Sequence, residues 1–382
     1  MTLFLMARPK IALLTNRPYI DAHYCFRNAV EELLAAGWDV DLYMMHSSNH
    51  PLPKFDSRGT RIFFTPSSKR ETVFFLLKLL LLPDRCYHAI IATPQWGLFW
   101  GAHAARWRRT PLICLSDEVY PWNERQTPSM KKWKARETWA HQRCAFTIAL
   151  SEKRFELCRL ENCLPKDHRF FVVPNAPSGP PQRLKSDYLR KKLKIPDEKK
   201  ILLHCGGGSW HLLRALVSNP NLIGENHVLV VHGRYEGSLD GLMESDRVKL
   251  SRQVVPSNMM DQLISSADIG LALYSQDCAE EIRNGPTAAK LGAYLKNELP
   301  IIGGNLESLR WIERKKCGAW ISKLEDLSGA AKKVVENYNL HAANAARVFE
   351  RDFEFTKHFS RVLKALQPPH DSVRKVELKE SA

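Results

Sequence analysis

No G-x-x-x-x-G-K-[ST] stretch occurs in these 382 residues, and no G-x-G-x-x-G follows the first strand-like run. The phosphate cradle of a P-loop protein and the dinucleotide fingerprint of a dehydrogenase are therefore both missing. There is no CxxC pair either. The nine cysteines, Cys25, Cys86, Cys114, Cys144, Cys158, Cys163, Cys205, Cys278 and Cys317, are odd in number and scattered. Cys114 and Cys205 sit inside apolar runs. Buried free thiols in a reducing compartment are expected, rather than a disulfide frame or a zinc site. The most apolar run, "VFFLLKLLLLP" at 73–83, is broken by Lys78 and is about half the ~20 residues that a membrane span needs. It reads as a buried helix or as an interfacial one flanked by Lys69, Arg70 and Arg85. The opening "MTLFLMARPK" has too short an apolar core for a signal peptide and no small-residue cleavage site.

What is present is positive charge. The formal net charge is +15; residues 1–180 hold 25 Lys and Arg against 16 Asp and Glu, leaving 31 against 25 for the rest. The larger excess, +9 against +6, falls on the N-terminal half. An anionic partner is implied: a phosphorylated substrate, a membrane surface or nucleic acid. No aromatic-basic motif of a nucleic-acid reader is found, so no nucleic-acid partner is expected. Hydrophobic residues at 44% and charged ones at 25% describe an ordinary globular chain.

The hydrophobic periodicity alternates between buried strands and amphipathic helices. "KIALLT" is a strand, "FRNAVEELLAAG" a helix closed by Gly37, and "WDVDLYMM" the next strand. The alternation continues through "RIFFT", a helix at 71–82, "HAIIAT", a helix at 97–107, "PLICLS", a helix near 130–143, "AFTIALS", "EKRFELCRLE" and "RFFVVPNAP". It restarts at "KILLHC" and runs on through "LLRALV", "HVLVVHG", "NMMDQLISSA", "DIGLALY" and "LPIIGG". "LESLRWIERKKCG" and "LEDLSGAAKKVVENY" then read as helices. The fold class is α/β: two Rossmann-like doubly wound domains facing across a cleft, where open parallel sheets bind ligands. The expected boundaries are a first domain at 1–178, a linker at 179–199 and a second domain at 200–352. A closing helix at 353–367 and a loose tail at 368–382 follow.

"NGPTAAKLGAYLKNELPIIGG" (284–304) poses the sharpest question. Asn284 to Thr287 read as a turn and a helix N-cap, and Lys290 falls in the first helical turn as an exposed lysine. A cation there opposes the helix dipole, which favours anions. Lys290 is either a solvated surface residue or a partner for an anion held at the helix start. The glycines of "CGGGSW", Gly206, Gly207 and Gly208, serve either a phosphate site or a tight turn.

Several of these stretches together resemble the retaining glycosyltransferase family 4 group, whose fold is GT-B. "AFTIALSEKRFELC…RFFVVPNAP" is similar to the end of that family's first domain. "MMDQLISSADIGLALYS" is similar to its helix and strand ending at Ser275. Lys290-Leu291-x-x-Tyr294-Leu295 followed by Leu299-Pro300 matches its donor helix, and "CGAWISKLEDLSGAAKKV" and "AARVFERDFEF" match its closing helices. Two family glutamates are absent: their positions are Ala293 and Gly285 here.

The resemblance implies a nucleotide-diphosphate sugar bound by Gly207, Gly208, Ser209, Arg234, Pro256, Glu281, Thr287, Lys290, Leu291 and Tyr294. The acceptor would meet the loops after strands one, four and five. Those loops hold Asn16, Arg17, Asp21 and His23, then Gln95 and Trp96, then Asp117, Glu118 and Tyr120. Asp117, Glu118 and Lys290 are the candidates for the chemistry. Asp117 and Glu118 would bind acceptor hydroxyls, position a proton or cap the next turn. Glu281 lies in a stretch read as a contact to the donor sugar or a solvated loop, and His23 is a packed residue or a ligand. The implied activity is hexosyl transfer to a glycan or glycolipid, with no metal and no cofactor. The implied setting is a cytoplasmic protein, peripheral to an anionic membrane. A nucleotide-sugar epimerase of the same fold and a catalytically degenerate binding subunit are the alternatives. The run Lys131, Lys132, Trp133, Lys134, Arg136 and Trp139 is a solvated face or an interfacial patch.

Overall fold

A computed structural model describes residues 8–18, 20, 23–45, 52–55, 59–65, 86–235 and 237–367. Asp21, the expected helix at 71–82 with the apolar run at 73–83, and the tail at 368–382 lie outside those residues.

The first sheet holds β1 (Lys10–Leu14), β2 (Asp39–Met45), β3 (Thr60–Thr65), β4 (Ala89–Ala92), β5 (Leu112–Ser116), β6 (Phe146–Ala149) and β7 (Phe170–Val172). Their order is β3-β2-β1-β4-β5-β6-β7, and neighbours pair in parallel. The second sheet holds β8 (Lys200–Cys205), β9 (His227–His232), β10 (Val248–Ser251), β11 (Ile269–Ala272), β12 (Ile301–Gly303) and β13 (Gly318–Trp320), in the order β10-β9-β8-β11-β12-β13, again parallel. The central strands are short apolar runs, such as "IALL" and "ILLH", with every residue buried. That is what burial on both faces of a parallel sheet requires.

Each sheet reverses its winding direction once, between β1 and β4 and between β8 and β11. Those reversals open crevices at the strand C-termini, the usual ligand position in such sheets. The two crevices supply both walls of the site.

Two strands differ from the sequence reading. β10 is hidden because Lys249 interrupts its apolar pattern. β13 lies where a helix was expected to continue to residue 318; the helix stops at Trp311–Arg314. Gly318 there has φ 152°, and a side chain would collide with the Ile301 carbonyl of the neighbouring strand. The segment expected as a linker carries a short helix, Tyr188–Leu193, whose Leu189 is buried in the second core.

The chain ends by crossing back. Helix Phe355–Leu366 buries Phe355, Phe359, Val362 and Leu366 in the first domain's core beside Phe26 and Val30. Their spacing of four, three and four keeps them on one helical face. Glu354 caps that helix, accepting from Thr356 N at 3.2 Å and Lys357 N at 2.7 Å. The same carboxylate accepts from Gly179 N at 3.0 Å, so it pins both interdomain crossings together.

Candidate active site in the interdomain cleft

The donor wall is built from β8 outward. Tyr294 has no exposed surface; its hydroxyl donates to Leu203 O at 3.0 Å and accepts from Cys205 N at 2.8 Å. Its ring lies against Gly270 on β11, where any side chain would overlap it. The helix carrying it, Ala289–Lys296, is thereby fixed over β8. One turn earlier, Lys290 Nζ sits 3.0 Å from His204 Nε2 and 5.2 Å from the Tyr274 ring centroid.

Lys290 therefore differs from the expectation of an exposed lysine. It is 7% exposed, because the helix is packed too deeply for its first turn to reach solvent. Burial pushes its ammonium down to about 7; the nearby Cys205 and Glu281 oppose that shift and Arg234 adds to it. Burial and the Lys290 charge hold His204 well below the usual histidine range, so its ring is neutral and accepts a hydrogen bond from the lysine.

The glycine turn follows directly. Gly206 has φ 139°, and a Cβ there would stand 3.4 Å from Lys290 Nζ. Gly208 packs against Leu242 with no room for a side chain, whereas Gly207 meets only Ser209 Oγ at 3.9 Å. Turning explains Gly206 and Gly208; Gly207 and the exposed Ser209 are left open at the crevice. Arg234, exposed after β9, makes no hydrogen bond or ion pair with a described residue. Its charge depresses the pKa of Lys290, His204 and His23, so it reaches across the same space.

Other expected donor residues are placed differently. Thr287 is not the N-cap: a 3-10 turn, Gly285–Thr287, intervenes, and Ala288 takes that position without a side-chain bond. Glu281 is not on a solvated loop. It lies in helix Ala279–Asn284, is 1% exposed, and accepts from Ser275 N at 2.5 Å and from His211 N at 3.0 Å. Both its oxygens are taken by backbone amides, and one also by the His211 ring at 2.6 Å, so it shapes the crevice instead of facing a sugar. Leu291 and Tyr294 are fully buried core residues that position the helix. Pro256 is exposed at the start of the turn Ser257–Met259, beyond Lys290's contacts. His211, Cys278 and Glu281 bring three potential metal-ligand atoms within 4.8 Å of one another.

The acceptor wall centres on Arg17. Its Nη2 meets Asp117 Oδ2 at 2.7 Å and Glu118 Oε1 at 2.7 Å, and Tyr120 donates to Glu118 Oε2 at 2.6 Å. Burial raises the Asp117 pKa against the opposing pull of Arg17. Burial also opposes ionisation of Glu118, but Arg17 and the Tyr120 hydroxyl outweigh it and hold the carboxyl below its usual value. Asn16 is exposed in the same loop. His23, 9% exposed, precedes helix Tyr24–Ala35; burial, with Arg17 and Arg234, lowers its pKa strongly. Gln95 adopts φ 63° in the turn between β4 and helix Trp96–Arg108, backbone that side chains rarely take.

Arg154 and Arg283 tie the walls together. Arg154 donates to Asp117 O at 2.7 Å on its own side and to Asn284 Oδ1 at 3.0 Å and Thr287 Oγ1 at 2.9 Å across the cleft. Arg283 reaches back to both oxygens of Glu124, at 2.5 and 2.9 Å. Sequence reasoning missed Arg154 and His204. The histidine had a signal, a polar residue at the end of the apolar run "KILLHC"; the arginine had none, because its partners lie 37 to 133 residues away.

Residues 23–176 match the model of the family described as Glycosyltransferase Family 4. Over that stretch, its first domain, the chain is similar to glycosyltransferase family 4. Solved structures extend the fold likeness to the whole. Sucrose-phosphate synthase from Thermosynechococcus elongatus matches with a TM-score of 0.68 at 15% identity, covering 94% of this chain and 99% of that one. WaaG, a glycosyltransferase involved in lipopolysaccharide biosynthesis, gives 0.64 at 16%, covering 94% and 100%. Anabaena Alr3699/HepE in complex with UDP-glucose gives 0.67 at 14%, covering 94% and 99%. No curated protein matches in sequence. The chain thus shares the GT-B fold of these neighbours, with its switch-point crevices facing each other.

Proposed function

We propose that this protein is a glycosyltransferase that moves a hexose-type sugar from a nucleoside-diphosphate sugar to a glycan or lipid-linked acceptor. Retention of configuration is inferred from the family, and the setting is surface polysaccharide or glycolipid synthesis. Residues 200–352 would hold the donor and residues 1–178 the acceptor. The observation that carries this reading is Lys290, a buried cation whose hydrogen-bond partner is a neutral histidine and which makes no ion pair with a described residue. Leaving an ammonium so placed costs stability unless a ligand supplies the opposite charge. A diphosphate does so, and the glycine turn lets it approach the backbone.

In this reading Lys290 and Arg234 stabilise the charge growing on the departing diphosphate as the bond to the sugar's anomeric carbon breaks. The released phosphate oxygen takes the proton of the acceptor hydroxyl as that oxygen bonds to the same carbon. No protein base is needed. That suits Asp117 and Glu118, which are clamped by Arg17 and better placed to orient acceptor hydroxyls than to take protons. A pocket of about 410 Å³ lined by Tyr235, Leu239, Arg252, Gln253 and Val254, beyond Arg234, has room for the nucleobase. The pairing of this fold with UDP-glucose in HepE makes UDP-glucose the first donor to try.

Calorimetric titration of nucleoside diphosphates into wild type and Lys290→Met tests the site. The variant should lose ~1.5–3 kcal/mol of binding, the range for hydrogen bonds to charged groups. Equal affinity in two folded proteins would remove the phosphate role. Incubation with labelled nucleotide sugars tests the reaction: transfer or hydrolysis supports it, ring isomerisation replaces it with an epimerase, and binding without turnover leaves a non-catalytic subunit.

A further inference from the structure

The described residues contain four buried carboxylates, Asp41, Asp117, Glu137 and Glu281. Three of them meet a fixed cation. Arg61 bonds Asp41 at 2.7 Å, Arg17 bonds Asp117 at 2.7 Å, and Lys134 bonds Glu137 at 2.9 Å. Lys134 is fully buried in that pair, so it leaves the exposed basic run in which the sequence had placed it. Glu281 makes no ion pair with a lysine or arginine among the described residues. Its partner is His211, at 2.6 Å, which carries charge only when protonated. A buried carboxylate so placed favours a cation.

Two further groups converge on it. Cys278 stands three residues before Glu281, at the N-cap of helix Ala279–Asn284, so thiol and carboxylate are neighbours one turn apart. The thiol is free and half-buried and makes no hydrogen bond with a described residue. His211 opens helix His211–Ser218, just past the glycine turn, and its side chain is 69% exposed. One ligand atom from each of the three lies within 4.8 Å of the other two. Bonds of about 2.0–2.3 Å to a shared ion would need the cluster to tighten by about 1 Å, which the exposed imidazole can supply. Glu281 accepts three hydrogen bonds, and a carboxylate has about four lone-pair sites, so one is unused. His211 lies 70 residues from Glu281, so no cysteine spacing in the sequence shows the cluster.

We propose that His211, Cys278 and Glu281 form a three-ligand site for a divalent transition metal of the zinc class. Thiolate with imidazole selects zinc or cobalt over magnesium and calcium, which prefer oxygen ligands. The thiolate is the ligand, so Cys278 gives its proton to solvent as the metal–sulfur bond forms. Three protein ligands leave the fourth tetrahedral position open, as in sites that take water or a substrate. The cluster borders the donor crevice: His211 follows the exposed Ser209 by two residues, and the Glu281 charge reaches Lys290. A diphosphate oxygen is the ligand that would fill the open position. The transfer proposed above needs no metal, so the ion would add donor affinity and no chemical step. This second statement rests on the donor reading; the metal site itself does not.

The test is titration of the full chain with cobalt(II), whose spectrum reports its ligands, in a non-chelating reductant. Wild type should show a near-ultraviolet thiolate-to-cobalt band and the strong visible bands of four-coordinate cobalt. Zinc should bleach both, and millimolar magnesium should leave them unmoved. Cys278→Ser should lose the thiolate band. His211→Gln should weaken cobalt binding by at least about tenfold, the scale on which even a residue behind a metal ligand acts. Glu281→Gln is the poorer probe, because that carboxylate also closes on the amides of Ser275 and His211. The Cys278 thiol makes no hydrogen bond, so without metal Cys278→Ser should unfold at the wild-type temperature. Failure of wild type to bind, a thiolate band that persists in Cys278→Ser, or displacement of cobalt by magnesium would each overturn the site. UDP added to the cobalt-loaded protein should shift the visible bands and keep the thiolate band. No shift, or loss of the thiolate band as the nucleotide strips the metal, would overturn the shared phosphate ligand. If UDP fails to bind wild type while the cobalt site forms, the donor reading falls and the metal site stands.

Discussion

Arg154 of the first domain donates to Thr287 Oγ1 of the second at 2.9 Å, three residues before Lys290. The same guanidinium bonds Asp117 O at 2.7 Å, so one side chain fixes the spacing between the acceptor wall and the donor helix. Arg154→Met removes three charge-assisted bonds while keeping most of the apolar stem. Unfolding free energy should fall by about 2–4 kcal/mol, allowing for water to re-satisfy the exposed acceptors. The radius of gyration from X-ray scattering should rise as the cleft opens. Unchanged scattering and unchanged stability would show that Arg283 and the closing helix set the spacing alone.

Lys290 makes the unliganded protein less stable than it could be. Its pKa is about 7 in the folded chain against the ordinary lysine value of 10.5. Between those values the unfolded state binds more protons than the native one, so stability rises with pH across that window. The slope is up to ~1.4 kcal/mol per pH unit, and below pH 7 the full penalty is present. Lys290→Met should therefore be more stable than wild type at pH 6, with the gap closing toward pH 9. Denaturant melts at several pH values measure it. A gap independent of pH would mean that Lys290 is charged and solvated in the native state.

Much of this architecture was legible in the chain. Short apolar runs such as "IALL" and "HVLVV", bounded by turn residues, read as buried parallel strands, and their alternation with helices gives the doubly wound order. Lys290 was legible too, as a lysine out of place in a helix start. Its depth was not, because depth is set by Tyr294 bonding to β8 and packing on Gly270, contacts between residues 24 to 91 positions apart. The Glu281 misreading has the same origin: nothing local says that an acidic residue between Cys278 and Arg283 will close on the amides of Ser275 and His211. The clamping of Asp117 by Arg17 spans 100 residues and is equally silent in sequence.

Arg17 answers to two carboxylates. Arg17→Met would leave Asp117 and Glu118 side by side in a largely buried wall, a change worth roughly 3–5 kcal/mol of stability when one partner of a buried pair is lost. Glu118 is held below its usual range in the folded chain, so its contribution is present above the unfolded value and is lost as pH falls through the folded one. The difference between wild type and variant should accordingly be largest near neutrality and shrink in acid, as both carboxyls become protonated. Melts from pH 7 to pH 3 would show it; a difference that grows on acidification contradicts the pairing.

The donor itself should bring a proton. At pH 7.5 a lysine with a pKa near 7 is largely neutral, whereas a diphosphate beside it favours the ammonium. Binding a nucleoside diphosphate should therefore take up a fraction of a proton at Lys290, more at pH 8 than at pH 6. Titrations in buffers of differing ionisation enthalpy read this directly, as a binding heat that changes with the buffer. Affinity should fall by up to about tenfold for each pH unit above 7, until the pKa of the complex is reached. Arg234 and the backbone of the glycine turn would still face the phosphates, so binding weakens without vanishing. In Lys290→Met the buffer dependence should disappear together with the pH slope, because His204, held well below the usual histidine range, does not titrate in that window. Proton uptake that persists in the variant would assign the titration to the diphosphate or to another group, and Lys290 would lose its place at the phosphate.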